Sequence, residues 1–286
     1  MNDRDRKNGD ELEFLRGFVN FGTISAAKDK KKKPKEFEFE IVEDGDDSEA
    51  YITPVKYLGS ERYVRLPREE QELPIYEIGA ECFAFNQRIE EVDLSDTDIT
   101  YIAEGAFRGC TALKKVIVPD GDHLSVGENA FEGCVCLEYI GTDKDQGEHK
   151  FEKCLCLNVH GLDMGAFKDC TGIEAIYINE AVFLNSYGEI ADEAFAGCTR
   201  LKSVELKASE NPDAYLSDDD LIQFGHRVFR GCTALREFSA ELPKCRVKFA
   251  DDPFDDAQRL ESIKISGESN IASALGKLGY AHFIKE

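Results

Sequence analysis

"AFRGCTALKKV", from Ala106 to Val116, is written again along the chain with its apolar letters kept and its polar letters changed. The copies are "AFEGCVCLEYI" at Ala130, "AFKDCTGIEAI" at Ala166, "AFAGCTRLKSV" at Ala194 and "VFRGCTALREF" at Val228. In each, Cys follows Phe by three residues, Leu or Ile follows Phe by six, and another bulky apolar residue stands three further on. An active-site motif is written once, where the chemistry happens. A sentence repeated with free polar letters is a packing instruction.

Aligned on the repeat Phe, the copies fall at Phe83, Phe107, Phe131, Phe151, Phe167, Phe195, Phe229 and Phe254, with spacings of 24, 24, 20, 16, 28, 34 and 25 residues. A period in the low twenties is that of a solenoid with one strand and one return segment per coil. Leu113, Val116 and Val118 predict a short strand with its apolar side inward, and Pro119-Asp120-Gly121 a turn. Val126, Ala130, Phe131 and Cys134 then supply the opposite wall, read as one irregular helical turn. No coil buries that wall alone, so the motif must recur. The expected fold class is an α/β repeat solenoid, one short strand per coil with irregular or short helical return segments.

The stretch "YIAEGAFRGCTALKKVIVP", Tyr101 to Pro119, resembles the BspA-type leucine-rich repeat, a family known from bacterial surface antigens and protozoan proteins. The preceding segment, from "FEFEIVEDGDD" to "IYEIGAECF", is similar to the strand pair and first half-coil that precede the repeats in that family. The resemblance covers roughly residues 37–265. It implies a leucine-rich-repeat fold and a role in adhesion or protein interaction.

The expected organisation is a basic tail with a possible helix over 1–36, a strand cap over 37–76, the solenoid over 77–265 and a helical cap over 266–286. In the last segment a helix is expected from about Asn270, with Ala272, Leu275 and Leu278 on one face and Gly279 closing it. The coils at Phe151 and Phe167 are compressed, whereas "NEAVFLNSYGE" and "KASENPDAYLSDDDLIQFGH" swell the next two. Insertions in solenoids gather on one face and often carry recognition.

The formal net charge is −22, unevenly spread. Residues 1–36 carry ten Lys/Arg against seven Asp/Glu, while the remainder carries 25 against 50. So acidic a body repels phosphates, and nucleic acid is not expected as a partner. No apolar run approaches ~18 residues, so no membrane-spanning helix is expected. "KKKKPK" before the body reads as a solvated linker, a contact with the acidic body, or an import signal.

Five cysteines (Cys110, Cys134, Cys170, Cys198, Cys232) share one repeat slot, with Cys154 in a weaker copy and Asn86 and Ala257 at the ends. A slot filled once per coil is a small buried position, where free Cys acts as a small hydrophobe. That placement, with an N-terminus unlike a secretory signal, predicts a reducing, cytoplasmic location; the alternative is the cell surface. "CVC" and "CLC" (Cys134, Cys136, Cys154, Cys156) admit a zinc or redox reading beside the packing one. "SDDDL" and "FADDPFDD" lack the alternating-acid pattern of a calcium loop and read as solvated loops. The five His are dispersed, and neither a zinc helix motif, a nucleophile elbow nor a phosphate loop is written. No cofactor is expected.

The chain is therefore read as a non-catalytic scaffold that binds a protein partner through its strand face and inserted loops. The alternatives are a surface adhesin or structural surface component, and an enzyme with its site in the irregular 141–188 region near His149 and His160. Along the outward side of the strands, Ile117, Tyr139 and Tyr177 form an apolar, aromatic patch between the acids Glu91 and Asp93 on one side and Glu205 on the other. This is the expected binding face, with the loop at 208–224 beside it.

Overall fold

A computed structural model describes residues 36–43, 50–120, 124–145, 149–157, 159–178, 188–207, 221–242, 246–267 and 269–285. The expected N-terminal helix, the basic linker, most of the 208–224 loop and Cys245 lie outside the described residues.

Each coil contributes to two parallel sheets, not one. The long sheet has ten strands, in order Tyr63–Arg65, Glu91–Asp93, Lys115–Ile117, Tyr139–Gly141, Cys154–Leu157, Ala175–Ile178, Ser203–Lys207, Glu237–Leu242, Ser262–Gly267 and Ile284–Lys285. The short sheet has seven: Glu77–Ile78, Tyr101–Ile102, Leu124–Val126, Val159–Leu162, Gly188–Ile190, Leu221–Phe224 and Arg246–Phe249. Inward residues of the two sheets, such as Val116 and Val204 on one and Ile102 and Phe224 on the other, are fully buried. The molecule is a β-solenoid, and the expected α/β class with helical returns is corrected.

The reason lies in the turn that carries the repeat Phe. In residues 104–109, Ala106, Arg108 and Cys110 donate their N–H to Ala103, Gly105 and Phe107, three residues back. Between them, Gly105, Phe107 and Gly109 donate outward to Glu128, Ala130 and Glu132 of the next coil. Two residues per turn are left-handed: Gly105 and Gly109, Asn129 and Gly133, Gly165 and Asp169, Glu193 and Gly197, Arg227 and Gly231. An α-helix needs each N–H to reach four residues back with right-handed φ throughout. This turn directs alternate N–H groups to the neighbouring coil and cannot be one.

Inside the turns, Phe83, Phe107, Phe131, Phe167, Phe195, Phe229 and Phe254 stack as one column. Ring centroids are 4.8 Å apart for Phe83–Phe107 and 5.1 Å for Phe131–Phe167. Phe131 touches Phe167 directly, so Phe151 is not a rung and Cys154 is not in the core slot; both assignments are corrected. The described residues 142–145 and 149–157 instead form an inserted segment with one extra strand, Cys154–Leu157, in the long sheet between Tyr139–Gly141 and Ala175–Ile178.

The slot has a use for sulfur. Cys110, Cys134, Cys170, Cys198 and Cys232 donate their thiols to the carbonyls of Phe83, Phe107, Phe131, Phe167 and Phe195, at 3.0–3.3 Å. Each such bond is weak, but it joins one coil to the previous one at no cost in volume. Burial pushes the Cys110 and Cys232 thiols up to about 12. Buried thiols held protonated are poor nucleophiles. A thiol reagent is therefore expected to modify exposed Cys136 in the native chain and to spare these five until unfolding. Peptide mapping checks this, and alkylated slot cysteines in folded protein would contradict it.

Both ends of the column are closed. The antiparallel pair Phe37–Val42 and Tyr51–Tyr57 places Phe37 and Tyr57 on Phe83, with centroids at 5.7 and 5.4 Å. At the other end Tyr280 meets Phe254 edge-on at 5.3 Å. The helix Ile271–Lys277 lies where expected, with Gly279 left-handed behind it, but it buries Ile271 and Leu275 while Leu278 is exposed. Asn270, at its N-cap, exchanges side-chain hydrogen bonds with the N–H and carbonyl of Val247. It imitates the next strand at the edge of the short sheet, which an open edge requires.

Candidate functional site: the outer face of the long sheet

Side chains alternate along a strand, so every second residue of the long sheet points away from the core. The register places Glu91, Lys115, Tyr139, Cys154, Ala175, Ser203, Glu237 and Ser262 in one row, since Ile140 pairs with Leu155 and Cys154 with Ala175. The next outward row runs through Asp93, Ile117, Gly141, Cys156, Tyr177, Glu205, Ser239 and Lys264.

The structure brings Ile117, Tyr139 and Tyr177 together, but not as an open patch. They form a second apolar cluster with Cys154, Cys156 and Ala175, and their exposures are 2, 7 and 5 %. The cover is the inserted segment. The His149 ring stacks on Tyr177, with centroids at 4.1 Å, and Phe151 packs against the cluster. The Tyr139 hydroxyl donates to the Thr142 carbonyl at 2.7 Å. Lys150 bonds to Glu237 at 3.1 Å, Lys153 to Glu138, and Lys144 to Asp120. Burial pushes the Tyr177 hydroxyl up to about 12 and raises Tyr139 as well. These residues hold the inserted segment to the sheet. Their expected role as exposed anchors is corrected: a residue that points out of a strand is exposed only where nothing folds back across it.

The acids at the N-terminal side are engaged within the chain. Asp93 is buried; it accepts hydrogen bonds from the Tyr63 hydroxyl at 2.8 Å and the Ser95 hydroxyl at 2.6 Å, and Arg65 lies at 3.5 Å. Burial opposes its charge, but the Ser95 and Tyr63 bonds outweigh it and hold the carboxyl below its usual range. Glu91 faces Lys115 at 3.5 Å. Glu205, on the C-terminal side, is half-buried between Tyr177 and Ser239. There the strands are longest: Ser203–Lys207 has five residues, Glu237–Leu242 six and Ser262–Gly267 six. Glu205, Glu237, Ser239, Glu241 and Lys264 share that broad face, of which the expected binding set included Glu205 alone. Strand length was the missed signal, written in the unbroken "EFSAEL" and "SIKISG".

The acids of "FADDPFDD" act on the backbone. Asp251 accepts the Arg227 N–H, Asp256 the Gly231 N–H, and Asp252 the Phe254 N–H and the Tyr280 hydroxyl. Among the described residues no three His, Cys, Asp or Glu side chains converge as metal ligands. No described helix is long and apolar enough to cross a membrane.

Among solved structures, a leucine-rich repeat protein of T. pallidum is similar at 24 % identity over 88 % of this chain and 97 % of that one, with a TM-score of 0.58. A leucine-rich repeat protein of Bacteroides ovatus matches at 17 % identity, over 80 % of this chain and 70 % of that one, with a TM-score of 0.34. A leucine-rich cell surface protein of Faecalibacterium prausnitzii matches at 15 % identity, over 84 and 90 %, with a TM-score of 0.25. No curated protein matches. The model of the BspA type leucine-rich repeat region matches residues 76–160 and 161–274 in six copies, the stretch that holds the stacked Phe, the donating Cys, the short sheet and all but the two outermost strands of the long one, and the chain belongs to that family.

Proposed function

We propose that the chain is a non-catalytic, intracellular protein-binding scaffold, and that its partner meets the long sheet on the C-terminal side of the inserted segment. The observation that carries this reading is the in-register polar face of the three longest strands of the long sheet, bounded by a ridge that Lys150 ties to Glu237. On these three strands Glu205, Glu237 and Glu241 stand against Lys207 and Lys264, an acidic excess that suits a basic partner surface. The intracellular location rests on the free cysteines, each slot thiol being placed by a hydrogen bond that a disulfide would remove.

Once a partner is captured by affinity from host lysate, Glu205→Lys with Glu241→Lys is expected to weaken binding tenfold or more, about 1.4 kcal/mol. Glu189→Lys, on the outer side of the short sheet, should leave it unchanged. Equal loss from both variants would show that the effect is general charge, and loss from the short-sheet variant alone would move the site there. Fractionation with an accessible epitope decides between the intracellular reading and a surface adhesin.

A further inference from the structure

Among the described residues, two buried cysteines lie outside the solenoid core. Cys154 and Cys156 stand on the outer side of their strand, where neighbouring coils place Tyr139 and Gly141, Ala175 and Tyr177, or Ser203 and Glu205. The architecture therefore asks for no sulfur there. Their sulfurs lie 3.4 Å apart and hydrogen-bond to each other, and Cys154 reaches a backbone carbonyl, that of Glu152, only at 4.0 Å, whereas the slot thiols Cys110 and Cys134 bond to carbonyls at 3.0 and 3.1 Å. The same bond lowers the Cys154 thiol below its usual range and, with burial, raises Cys156.

We propose that Cys154 and Cys156 are a reversible dithiol–disulfide pair, a modification site oxidised by exchange with a low-molecular-weight disulfide. The Cys154 thiolate attacks one sulfur of the small disulfide; that S–S bond breaks, and the first small thiolate leaves and takes up a proton. Cys156 then loses its proton and attacks the Cys154 sulfur of the mixed disulfide, expelling the second small thiolate. The protein pair gives up two electrons, and the small disulfide becomes two thiols.

The spacing dictates that the bond be labile. Residues two apart on an extended strand have Cα atoms about 6.6 Å apart, near the upper limit of about 6.8 Å for a disulfide. A bridge closed at that limit is strained, and strained bridges are readily reduced. Access comes through the inserted segment, whose described ties to the rest of the chain are the Lys144, Lys150 and Lys153 ion pairs, the His149 stack, the Phe151 packing and the Tyr139 hydroxyl on the Thr142 carbonyl.

The test uses the full chain, equilibrated in buffers of oxidised and reduced glutathione, quenched with acid, alkylated and peptide-mapped. The expected result is a Cys154–Cys156 linkage that forms about tenfold faster than the slot thiols are lost, because exchange follows thiolate fraction and access. Reduced glutathione should reverse it. Tyr139 and Tyr177 flank the pair, so near-ultraviolet circular dichroism should change and return with it. In Cys154→Ser, Cys156 should remain a thiol. The proposal is overturned if both cysteines stay reduced under full oxidation, if either pairs instead with Cys136 or a slot cysteine, or if the linkage, once formed, resists reduced glutathione.

Discussion

Phe131→Ala is expected to cost about 3–5 kcal/mol, the largest loss from any single side chain discussed above. Phe131 is fully buried, with Phe107 at 4.9 Å on one face and Phe167 at 5.1 Å on the other. Truncation removes two ring stacks and leaves a cavity. Its walls are turns already fixed by Phe131 N–H to Ala166 and by the Cys170 thiol on the Phe131 carbonyl, so they cannot collapse inward. Coils touch only their neighbours, and the damage should therefore be local. Hydrogen exchange is expected to quicken first at the amides of Phe107, Phe131 and Phe167 and last at the two ends. Uniform exchange along the chain with unchanged stability would refute the column.

Gly172→Ala is expected to cost about 1–3 kcal/mol or more, the range for forcing atoms into a packed core. A Cβ at Gly172 would stand 2.3 Å from the Leu137 carbonyl oxygen and 3.0 Å from its carbon. Both are backbone atoms, so no side chain can swing aside and two coils must part. Gly133 provides the contrast. It has φ of +72° but nothing nearer than 3.8 Å, so Gly133→Ala carries only the left-handed penalty of about 1–2 kcal/mol. Asn and Asp tolerate that conformation, and Asp169 occupies the equivalent place with φ 59°. Gly133→Asn should thus recover much of the loss, whereas Gly172→Asn should not. Thermal melts of the four variants separate the two causes.

Much of this fold is legible in eleven letters. The spacing of Phe, Cys and Leu sets the repeat, and the turn wall follows from it. The error about helical returns came from reading Val126, Ala130, Phe131 and Cys134 as one wall element. Val126 ends a strand, and the Gly of "AFEGC" was the sign that the turn is left-handed at its close. The compressed spacing of 20 and 16 residues around Phe151 was visible, but not its meaning. A Phe three residues before a Cys satisfied the pattern by coincidence, and a strand inserted into one sheet alone has no periodic signature. The same insertion hid the site. Periodicity tells which residues point outward, whereas burial of Tyr139 and Tyr177 depends on a non-repeating segment crossing that face.

The alternate N–H groups of the turns have a consequence beyond stacking. From Glu81, Phe83 and Phe85 through Glu193, Phe195 and Gly197, they all point the same way along the axis, each toward a carbonyl of the following coil. Peptide dipoles aligned head to tail add, as they do in a helix. The turn wall therefore carries a macrodipole of its own, with its N–H groups directed toward its C-terminal pole. There the last coil, that of Phe254, offers side chains in place of carbonyls: the carboxylates of Asp251 and Asp256 take the N–H groups of Arg227 and Gly231. An anion on the positive pole of aligned peptides is the arrangement of a helix N-cap, reached by a wall that contains no helix. "FADDPFDD" is thus the electrostatic terminator of the solenoid. A chain extended by another coil would need those carboxylates moved to its new last turn.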